Sequence, residues 1–380
     1  MRFATTPVLA ALALGLLTGC GSDVHDGVNM KGKVGFGAVI PCGTDLRFGN
    51  DYLRLGAEYH RGMLVAEKTL NASGGVLGRS VKVIVYDSAG EPQKGLDSTR
   101  MLTREFDIPF LAVALPRVVD KSAGEYAGHD ALTARLEAGP APATEAPRSI
   151  RAFVSVQDEV ELMARTARDE GWKRVLLLTV EDRYGDSAAK LLPANLPAGV
   201  KLTRLPLRRD ALALDAIGRE SAGGAYDAVC VFAHGPEIAP ALKALRQSGH
   251  RGAIVGNHAF AGKSVGMLDR PVLLVLRYTG PAFCAGKDTP MSERFRGEYR
   301  EYNRDEPDLF AALRYDQVML VFSAAKAEET LAAKPIRRRI IGDKTFEGAA
   351  GTYAFDADGE ARMELSLHPV IPAKAPKPVR

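Results

Sequence analysis

Short apolar runs rich in valine, isoleucine and leucine recur along the chain. They read KVGFGAVI, VKVIVYD, IPFLAVAL, VLLLTV, YDAVCVFA, GAIVG and VLLVLR, and they begin at Lys33, Val81, Ile108, Val175, Tyr226, Gly252 and Val272. The runs are apolar on both faces, as strands of a parallel sheet must be when helices cover both of its sides. The pattern therefore predicts buried parallel strands.

Stretches with helical spacing lie between these strands. Apolar residues over 53–70 fall on one arc of a helix, and a second helix is predicted just before Gly171. Two more are predicted over 237–247 and 309–331. Strands that alternate with helices specify an α/β fold with right-handed crossovers. Because 380 residues are many for one domain, we expect two lobes.

Three glycines in the sequence NASGGVLG separate the first predicted helix from the strand that begins at Val81. Gly74 or Gly75 can adopt the left-handed conformation that ends a helix, and Gly78 can turn the chain into the strand. A phosphate-binding loop needs the opposite order, because its glycines follow a strand and precede a helix. GFGAVI at 35–40 lacks the third glycine of a dinucleotide site, and no GxSxG or GxxxxGK[ST] sequence occurs. The glycines therefore predict a turn and no nucleotide site.

The composition is that of a folded protein, since 46% of the residues are hydrophobic and 25% are charged. A formal net charge of +4 is small for 40.7 kDa and gives no support for nucleic acid as a partner. No CxxC motif and no cluster of cysteine and histidine at metal spacing occurs, so we predict no metal and no other cofactor. No pairing of a nucleophile with a base is indicated, and we expect the protein not to be an enzyme.

The N-terminus has the organisation of a bacterial export signal, with Arg2 before a short apolar run. The run is too short to remain as a membrane-spanning helix. It ends in LTGC, which resembles a lipobox, where a signal peptidase cleaves before a cysteine that carries diacylglycerol. We therefore predict a signal peptide over 1–19, a lipid on Cys20 and a polar tether over 20–32. An ordinary secretion signal is the alternative.

Export would place the protein in the periplasm or at the cell surface, where disulfides form. Gly21 after the lipidated cysteine favours the outer membrane, and the inner membrane stays open. Cys42, Cys230 and Cys284 are an odd set, so at most one disulfide can form. Cys230 lies in the apolar run AVCVFA and is expected to be a buried thiol. Cys42 and Cys284 lie in loop-like sequence and could be bridged.

Five longer segments match one family pattern when they are read in order along the chain. They are GAEYHRGMLVAEKTLNASGGVLGRSVKVIVYDSAGEPQKG, VLLLTVEDRYGDSAAK, VCVFAHGPEIAPALKALRQSGHRGAIVGNHAF, FRGEYREYNRDEPDLFAALRYDQVMLV and TFEGAAGTYAFDADGEA. Together they resemble type I periplasmic solute-binding proteins of the leucine/isoleucine/valine-binding class, which serve ABC transporters. The resemblance covers nearly the whole mature chain and lies behind a lipobox, as in the lipoprotein form of the family.

The resemblance implies two Rossmann-like doubly wound lobes, the periplasmic binding protein type I fold, joined by a three-strand hinge. Lobe one would comprise 33–150 and 279–345, and lobe two 151–278 and 346–368, before a disordered tail over 369–380. A small-molecule ligand would bind between the lobes of a monomer, and the lobes would close over it. The protein would then deliver this ligand to an ABC permease in the inner membrane.

The resemblance also implies which residues contact the ligand. The candidates are Phe48, Arg117, Thr144, Tyr184, His234 and His258. Members that bind amino acids hold the ligand carboxylate with hydroxyls of lobe one and the ammonium with a carboxylate of lobe two. In this chain Pro116 and Arg117 stand where hydroxyls are expected, and His258 stands where the acidic partner is expected. Tyr184 lies in an intact family motif.

These departures change the ligand that we expect. Without the acidic partner an ammonium would be buried with no counter-ion, which is costly. We therefore expect an anionic or neutral polar ligand, with the Arg117 guanidinium binding a ligand carboxylate through two hydrogen bonds. Alternatives stay open: Arg117 could be solvated or paired with Asp120, and Phe48 could belong to the core. His234 and His258 could be surface or structural histidines.

Two functions are compatible with this sequence. The first is capture of a small polar or anionic solute, amino-acid-like or a carboxylate, for an ABC importer. The second is a lipoprotein that keeps the fold without a ligand and regulates or scaffolds a protein partner in the cell envelope.

Overall fold

The computed structural model describes residues 29–42, 50–141 and 148–370, so Cys20 and the signal peptide lie outside the described residues. The strands are β1 (Lys33–Ile40), β2 (Ser80–Asp87), β3 (Phe110–Ala114), β4 (Leu132–Leu136), β5 (Ser149–Ile150), β6 (Arg174–Thr179), β7 (Lys201–Pro206), β8 (Ala228–Phe232), β9 (Ala253–Gly256), β10 (Leu276–Gly280), β11 (Thr345–Glu347), β12 (Thr352–Phe355), β13 (Ala361–Arg362) and β14 (Ser366–Pro369). The helices are α1 (Asn50–Ala72), α2 (Pro92–Arg100), α3 (Pro116–Ala127), α4 (Val156–Asp169), α5 (Arg183–Asn195), α6 (Ala211–Ser221), α7 (Ile238–Gln247), α8 (Lys263–Gly266), α9 (Arg270–Leu273), α10 (Pro290–Asn303), α11 (Leu309–Ala327) and α12 (Ala333–Asp343).

Lobe one is built on a five-stranded parallel sheet in the order β2-β1-β3-β4-β5. The chain builds outward from β1 in both directions, so helices cover both faces of the sheet. Alternate strand residues serve the two faces. On β3, Phe110 packs edge-on against Phe322 of α11 at 5.1 Å, whereas the next residue, Leu111, joins the cluster that contains Val118 of α3.

Lobe two is built on a six-stranded sheet in the order β14-β10-β9-β8-β6-β7. Its strands are parallel except for β14, which pairs antiparallel with β10 at the edge. Helices α4 and α5 pack together, as do α6 and α7. The predicted fold class, two doubly wound α/β lobes, is therefore confirmed.

Three segments connect the two lobes. The first follows β5 at Ile150, the second follows β10 at Gly280, and the third contains the small antiparallel sheet β11-β12-β13. Arg151 ties the first and third segments together, because its backbone N donates to the Gly359 carbonyl and its Nε donates to Glu360 Oε2 at 2.6 Å. These contacts lie where the predicted hinge would bend, while the domain boundaries themselves stay a prediction.

Six of the seven predicted strands begin within two residues of the expected position. The run at Val272 is the exception, because α9 begins at Arg270 with Pro271 in its first turn, and β10 begins only at Leu276. Proline fixes a helical φ and lacks the N–H that a first helical turn leaves unpaired, so it favours this start. The last long helix, α11, ends at Ala327 and not at Leu331 as predicted.

Of the strands that the structure describes, the sequence pattern missed seven, β4 and β7 among them, and it placed the tail too early. LTARL in β4 and KLTRLP in β7 contain polar residues and lack the continuous apolar run of the other strands. Arg135 of β4 is nevertheless fully buried. Pro369 belongs to β14, and Val370 donates a backbone hydrogen bond to the Leu276 carbonyl. These two residues therefore belong to lobe two and not to a disordered tail.

The glycines after α1 form the predicted turn. Gly74, Gly75 and Gly78 have φ values of 86°, 76° and 74°, in the left-handed region. The backbone N of Gly75 donates to the Leu70 carbonyl at 2.9 Å, which closes the last turn of α1. The chain then enters β2, so these glycines end a helix, as the sequence indicates.

Candidate ligand-binding cleft

A cavity of about 30 Å³ lies between the lobes. It is lined by Leu55, Tyr59, Leu115, Pro116, Leu136, Glu137, Ala138, Phe153, Tyr184, His234, His258 and Phe310. Leu136 ends β4 of lobe one, and His234 and His258 follow β8 and β9 of lobe two. Ligands of open α/β sheets bind at this carboxyl end of the strands, so these side chains form the candidate site.

The local sequence fixes Tyr184 in the first turn of α5. Asp182 caps this helix, because its Oδ1 accepts a hydrogen bond from the Gly185 backbone N at 3.1 Å. A Cβ on residue 185 would lie 1.9 Å from a backbone carbonyl oxygen, so only glycine fits there. The buried Tyr184 hydroxyl donates to Glu159 Oε2 at 2.7 Å and accepts from Asn257 Nδ2 at 2.8 Å. The Tyr184 hydroxyl is therefore fixed both as a hydrogen-bond donor and as an acceptor.

Glu159, in the first turn of α4, organises the wall of lobe two. Its Oε1 accepts from the His258 backbone N at 2.7 Å and from the Thr279 hydroxyl at 2.8 Å, and it lies 3.0 Å from His258 Nδ1. Burial alone would raise the pKa of Glu159, but the charge and hydrogen bonds of His258 and the hydrogen bond from Tyr184 lower it. Phe153 meets the His258 ring edge-on at 5.1 Å. The position of His258 is thus fixed on several sides.

His234 pairs with the residue that caps α5. Its Nε2 lies 2.5 Å from Asp182 Oδ2. Burial would lower the pKa of His234, but the charge and hydrogen bond of Asp182 raise it above its usual value. The same pair outweighs burial at the acid and lowers the pKa of Asp182 to about 2. Lobe two therefore presents two histidines and a tyrosine, each with a partner.

Glu137 is the charged residue of the lobe-one wall. It follows β4, and its side chain is 1% exposed. Oε1 accepts from Arg135 Nη1 at 2.9 Å and from Arg183 Nη2 at 3.0 Å. Within the described parts of the chain, Oε2 has no hydrogen-bond partner. Burial raises the pKa of Glu137, although both arginines oppose this shift.

Ion pairs join the lobes at two places around the cleft. At the first, Arg183 of lobe two contacts Asp120 Oδ1 of lobe one at 2.9 Å. At the second, Lys263 of lobe two contacts Glu58 Oε1 at 3.0 Å and Asp305 Oδ2 at 2.7 Å, both in lobe one. In each case lobe two supplies the cation and lobe one the carboxylates, so opposite charges hold the lobes together.

The structure brings three of the six candidate residues together, because Tyr184, His234 and His258 line one cavity. Arg117 lies elsewhere. It is exposed on α3, and its Nη2 donates across the cleft to the Glu181 carbonyl at 2.7 Å. Arg117 does not line this cavity, and its predicted contact with a ligand carboxylate stays a prediction.

Phe48 and Thr144 lie outside the described residues. Glu137 and Glu159 were not predicted from the sequence as residues of the site. An acid directly after a strand could have indicated Glu137, had LTARL been recognised as a strand. No sequence feature indicates Glu159, because its partners come from α5, β10 and the turn after β9.

Cys42 and Cys284 are both free thiols, as is Cys230. The bridge that the sequence allowed between Cys42 and Cys284 is therefore not formed in this structure. Burial raises the pKa of Cys230 and of Cys284 to about 12. Over residues 29–42, 50–141 and 148–370, no three acidic, histidine or cysteine side chains are grouped to hold a metal ion. In the same ranges no helix has the length and apolar character needed to cross a membrane.

Solved structures with known ligands share this fold. The branched-chain amino acid transporter substrate-binding protein of Streptococcus pneumoniae, solved with isoleucine, has a TM-score of 0.72 at 20% identity, over 87% of this chain and 94% of its own. A leucine-binding protein of Thermotoga maritima has a TM-score of 0.76 at 18% identity, over 88% and 94%. An ABC transporter solute-binding protein of Rhodopseudomonas palustris, solved with benzoate, has a TM-score of 0.73 at 17% identity, over 89% and 93%.

Sequence relationships give the family. No curated protein sequence matches the chain. The family model described as periplasmic binding protein matches residues 51–370, which is most of the chain and includes both lobes. The chain therefore belongs to the periplasmic binding protein family.

Proposed function

We propose that this protein is a lipid-anchored, extracytoplasmic solute-binding protein of an ABC importer. It captures a small polar or anionic solute, amino-acid-like or a carboxylate, between its lobes as a monomer and passes it to a permease in the inner membrane. The observation that carries the proposal is the cavity between the lobes, where Glu137 of lobe one faces Tyr184, His234 and His258 of lobe two.

The family supports this function. A periplasmic binding protein binds solutes outside the cytoplasm and is not an enzyme. Structural relatives are named for leucine or were solved with isoleucine or benzoate, which are all small solutes with a carboxylate and an apolar body. The cavity of this chain likewise combines polar groups with apolar walls. Hinged lobes that close over a solute suit this arrangement.

A thermal-shift screen tests solute capture. The library holds amino acids, carboxylates, amides, sugars and purines, and the protein begins after Cys20. A solute at a hundred times its dissociation constant adds about 2.7 kcal/mol of stability, which raises the melting temperature measurably. Ala138→Leu places a larger side chain in the cavity wall and should abolish the shift. Ala332→Leu, at an exposed alanine outside this cavity, is the matched control and should leave the shift unchanged.

The anchor is tested separately. The LTGC sequence at the end of the export signal supports a lipid on Cys20. Two acyl chains hold a protein stably at a membrane, so the wild-type protein should sediment with membranes and incorporate labelled palmitate. Cys20→Ser should move the protein to the soluble fraction and remove the label. Soluble, unlabelled wild-type protein would contradict the anchor without affecting solute capture.

A second candidate is a lipoprotein of the same fold that scaffolds or regulates a protein partner. The small cavity favours it, because about 30 Å³ is close to the volume of one water molecule. Absence of any stabilising solute in the screen would contradict solute capture and favour this second function.

A further inference from the structure

Lys263 of lobe two lies among three carboxylates of lobe one. Its Nζ contacts Glu58 Oε1 at 3.0 Å and Asp305 Oδ2 at 2.7 Å. Its backbone N donates a hydrogen bond to the carboxylate of Asp308, the residue that caps α11. We call these four residues the interlobe cluster. Because the lysine and the carboxylates come from different lobes, the cluster is complete only while the lobes are closed.

Acids outnumber cations in the interlobe cluster. Besides Lys263, Arg61 supplies a positive charge, because its Nη1 lies 3.1 Å from Glu58 Oε1 and 3.6 Å from Asp305 Oδ2. Glu58 and Asp308 are buried, with exposures of 5% and 9%. Two cations do not neutralise three carboxylates, so one negative charge remains in a largely buried place if all are ionised. A buried charge is costly, and a proton on one acid removes it.

Asp308 is the carboxylate best placed to take this proton. Glu58 accepts from Lys263 Nζ and from the Tyr299 hydroxyl, the latter at 2.6 Å. Asp308 accepts from the backbone N–H groups of Ala311 and Lys263, and no lysine or arginine side chain of the described residues forms an ion pair with it. Burial and the charge of Glu58 raise the pKa of Asp308 to about 7, although Lys263 and the two backbone donors oppose this rise.

Four other titratable groups near Asp308 keep one charge in neutral solution. Burial above all raises the pKa of Tyr59, Tyr278 and Cys284, and the negative charge of Asp308 adds to this rise, so these three groups stay neutral. Burial would lower the pKa of Lys263, but the carboxylates around it raise it above its usual value, so the lysine stays charged. Asp308 therefore titrates beside groups whose charge is fixed.

Opening the lobes would separate Asp308 from lobe two. Water would then solvate the carboxylate, and its pKa would return to the ordinary value of about 4 for an aspartate. Because the closed form has the higher pKa, closure binds a proton. The closed form therefore gains stability as the pH falls below about 7 and loses it as the pH rises through about 7.

We propose that Asp308 makes closure of the lobes depend on pH, with Asp308 protonated in the closed form and ionised in the open form. Mildly acidic solution then favours the closed form, and alkaline solution favours opening. This inference goes beyond solute capture, because the interlobe cluster responds to protons with or without a solute.

Amide hydrogen exchange tests this inference in the protein that begins after Cys20, without a solute. The Lys263 N–H is bonded to Asp308 only in the closed form, so its protection, corrected for the intrinsic exchange rate, measures closure. This protection should fall about tenfold from pH 6 to pH 8. The Ala213 N–H is the internal control, because its acceptor Asp210 belongs to the same lobe, and its protection should stay constant.

Two matched variants of helix caps assign the effect to Asp308. Asp308→Asn removes the charge and keeps the cap, since asparagine and aspartate cap helices about equally well. It should keep at pH 8 the protection of the Lys263 N–H that is expected at pH 6. Asp210→Asn is the control, because Asp210 caps α6 within lobe two and is not part of the interlobe cluster. It should leave the tenfold fall unchanged.

Each other outcome contradicts the inference. Equal protection of the Lys263 N–H at the two pH values, or no protection at either, overturns it. A fall that Asp308→Asn retains, or that Asp210→Asn abolishes, also overturns it. Because no solute is present, none of these results bears on solute capture, which the thermal-shift screen tests.

Discussion

The two walls of the cleft treat their buried carboxylates differently. In lobe two, Glu159 is used on both oxygens, by Tyr184 on one and by His258 and Thr279 on the other. In lobe one, Glu137 accepts hydrogen bonds from the described residues on one oxygen only. Native interiors pair nearly all buried polar groups, so an unpaired one at a cavity calls for an explanation.

From this difference we expect the two lobes to play different parts in binding a solute. A fully hydrogen-bonded network is rigid and holds its side chains in one position. The lobe-two wall is therefore a preformed surface, because the polar groups of Tyr184 and His258 already have partners within the protein. The lobe-one wall keeps one acceptor, Glu137 Oε2, without a partner among the described residues, and we expect this wall to select the solute.

The largest expected effect comes from one substitution made in each wall. Glu159→Gln turns an amide N–H towards donors that now meet a buried carboxylate oxygen, and should lower the free energy of unfolding by about 3–5 kcal/mol. Glu137→Gln keeps an acceptor for the two arginines, which retain Glu360 and Asp120 as counter-ions, and should therefore cost only about 1–2 kcal/mol. Urea unfolding measures both. Equal losses of unfolding free energy would show that the protein depends equally on the Glu159 and Glu137 carboxylates.

The ion pairs between the lobes give a smaller effect on solute affinity. Arg183 contacts a carboxylate that is 1% exposed, whereas Lys263 is itself 33% exposed. Arg183→Ala should therefore weaken binding about tenfold and Lys263→Ala only about threefold. Titration at low and high salt gives a further check, because the Lys263 effect should shrink in salt and the Arg183 effect should persist. A larger loss of affinity with Lys263→Ala than with Arg183→Ala would mean that the exposed pairs of Lys263 hold the lobes closed.

The smallest expected effect is a pH dependence at the pair of His234 and Asp182. The raised pKa of His234 contributes stability that is present below about pH 6.5 and is lost as the pH rises through the folded value. The Asp182 pKa of about 2 contributes stability that is present above about pH 4 and is lost as the pH falls towards 2.

His234→Gln tests this window. The difference in unfolding free energy between wild type and variant should be greatest near pH 5, at about 1–2 kcal/mol, and smaller near pH 3 and pH 9. Urea unfolding at these three values measures it. A difference that is independent of pH would mean that His234 does not titrate against Asp182.

Sequence patterns predicted the lobes better than the cleft. Continuous apolar runs located the strands that are buried on both faces, because burial alone dictates their composition. β4 was missed because its residue Arg135 is buried by pairing with Glu137 and not by being apolar. The predicted histidines and Tyr184 do line the cavity. Glu159 could not be predicted, since its partners are joined only by tertiary structure.

Small-angle X-ray scattering tests the central claim, that a solute binds by drawing the lobes together. The radius of gyration is measured for the protein that begins after Cys20, with and without a saturating solute from the thermal-shift screen. The radius should be smaller with solute, and Ala138→Leu should show no such change. A bound solute that leaves the radius unchanged would contradict closure of the lobes over the solute.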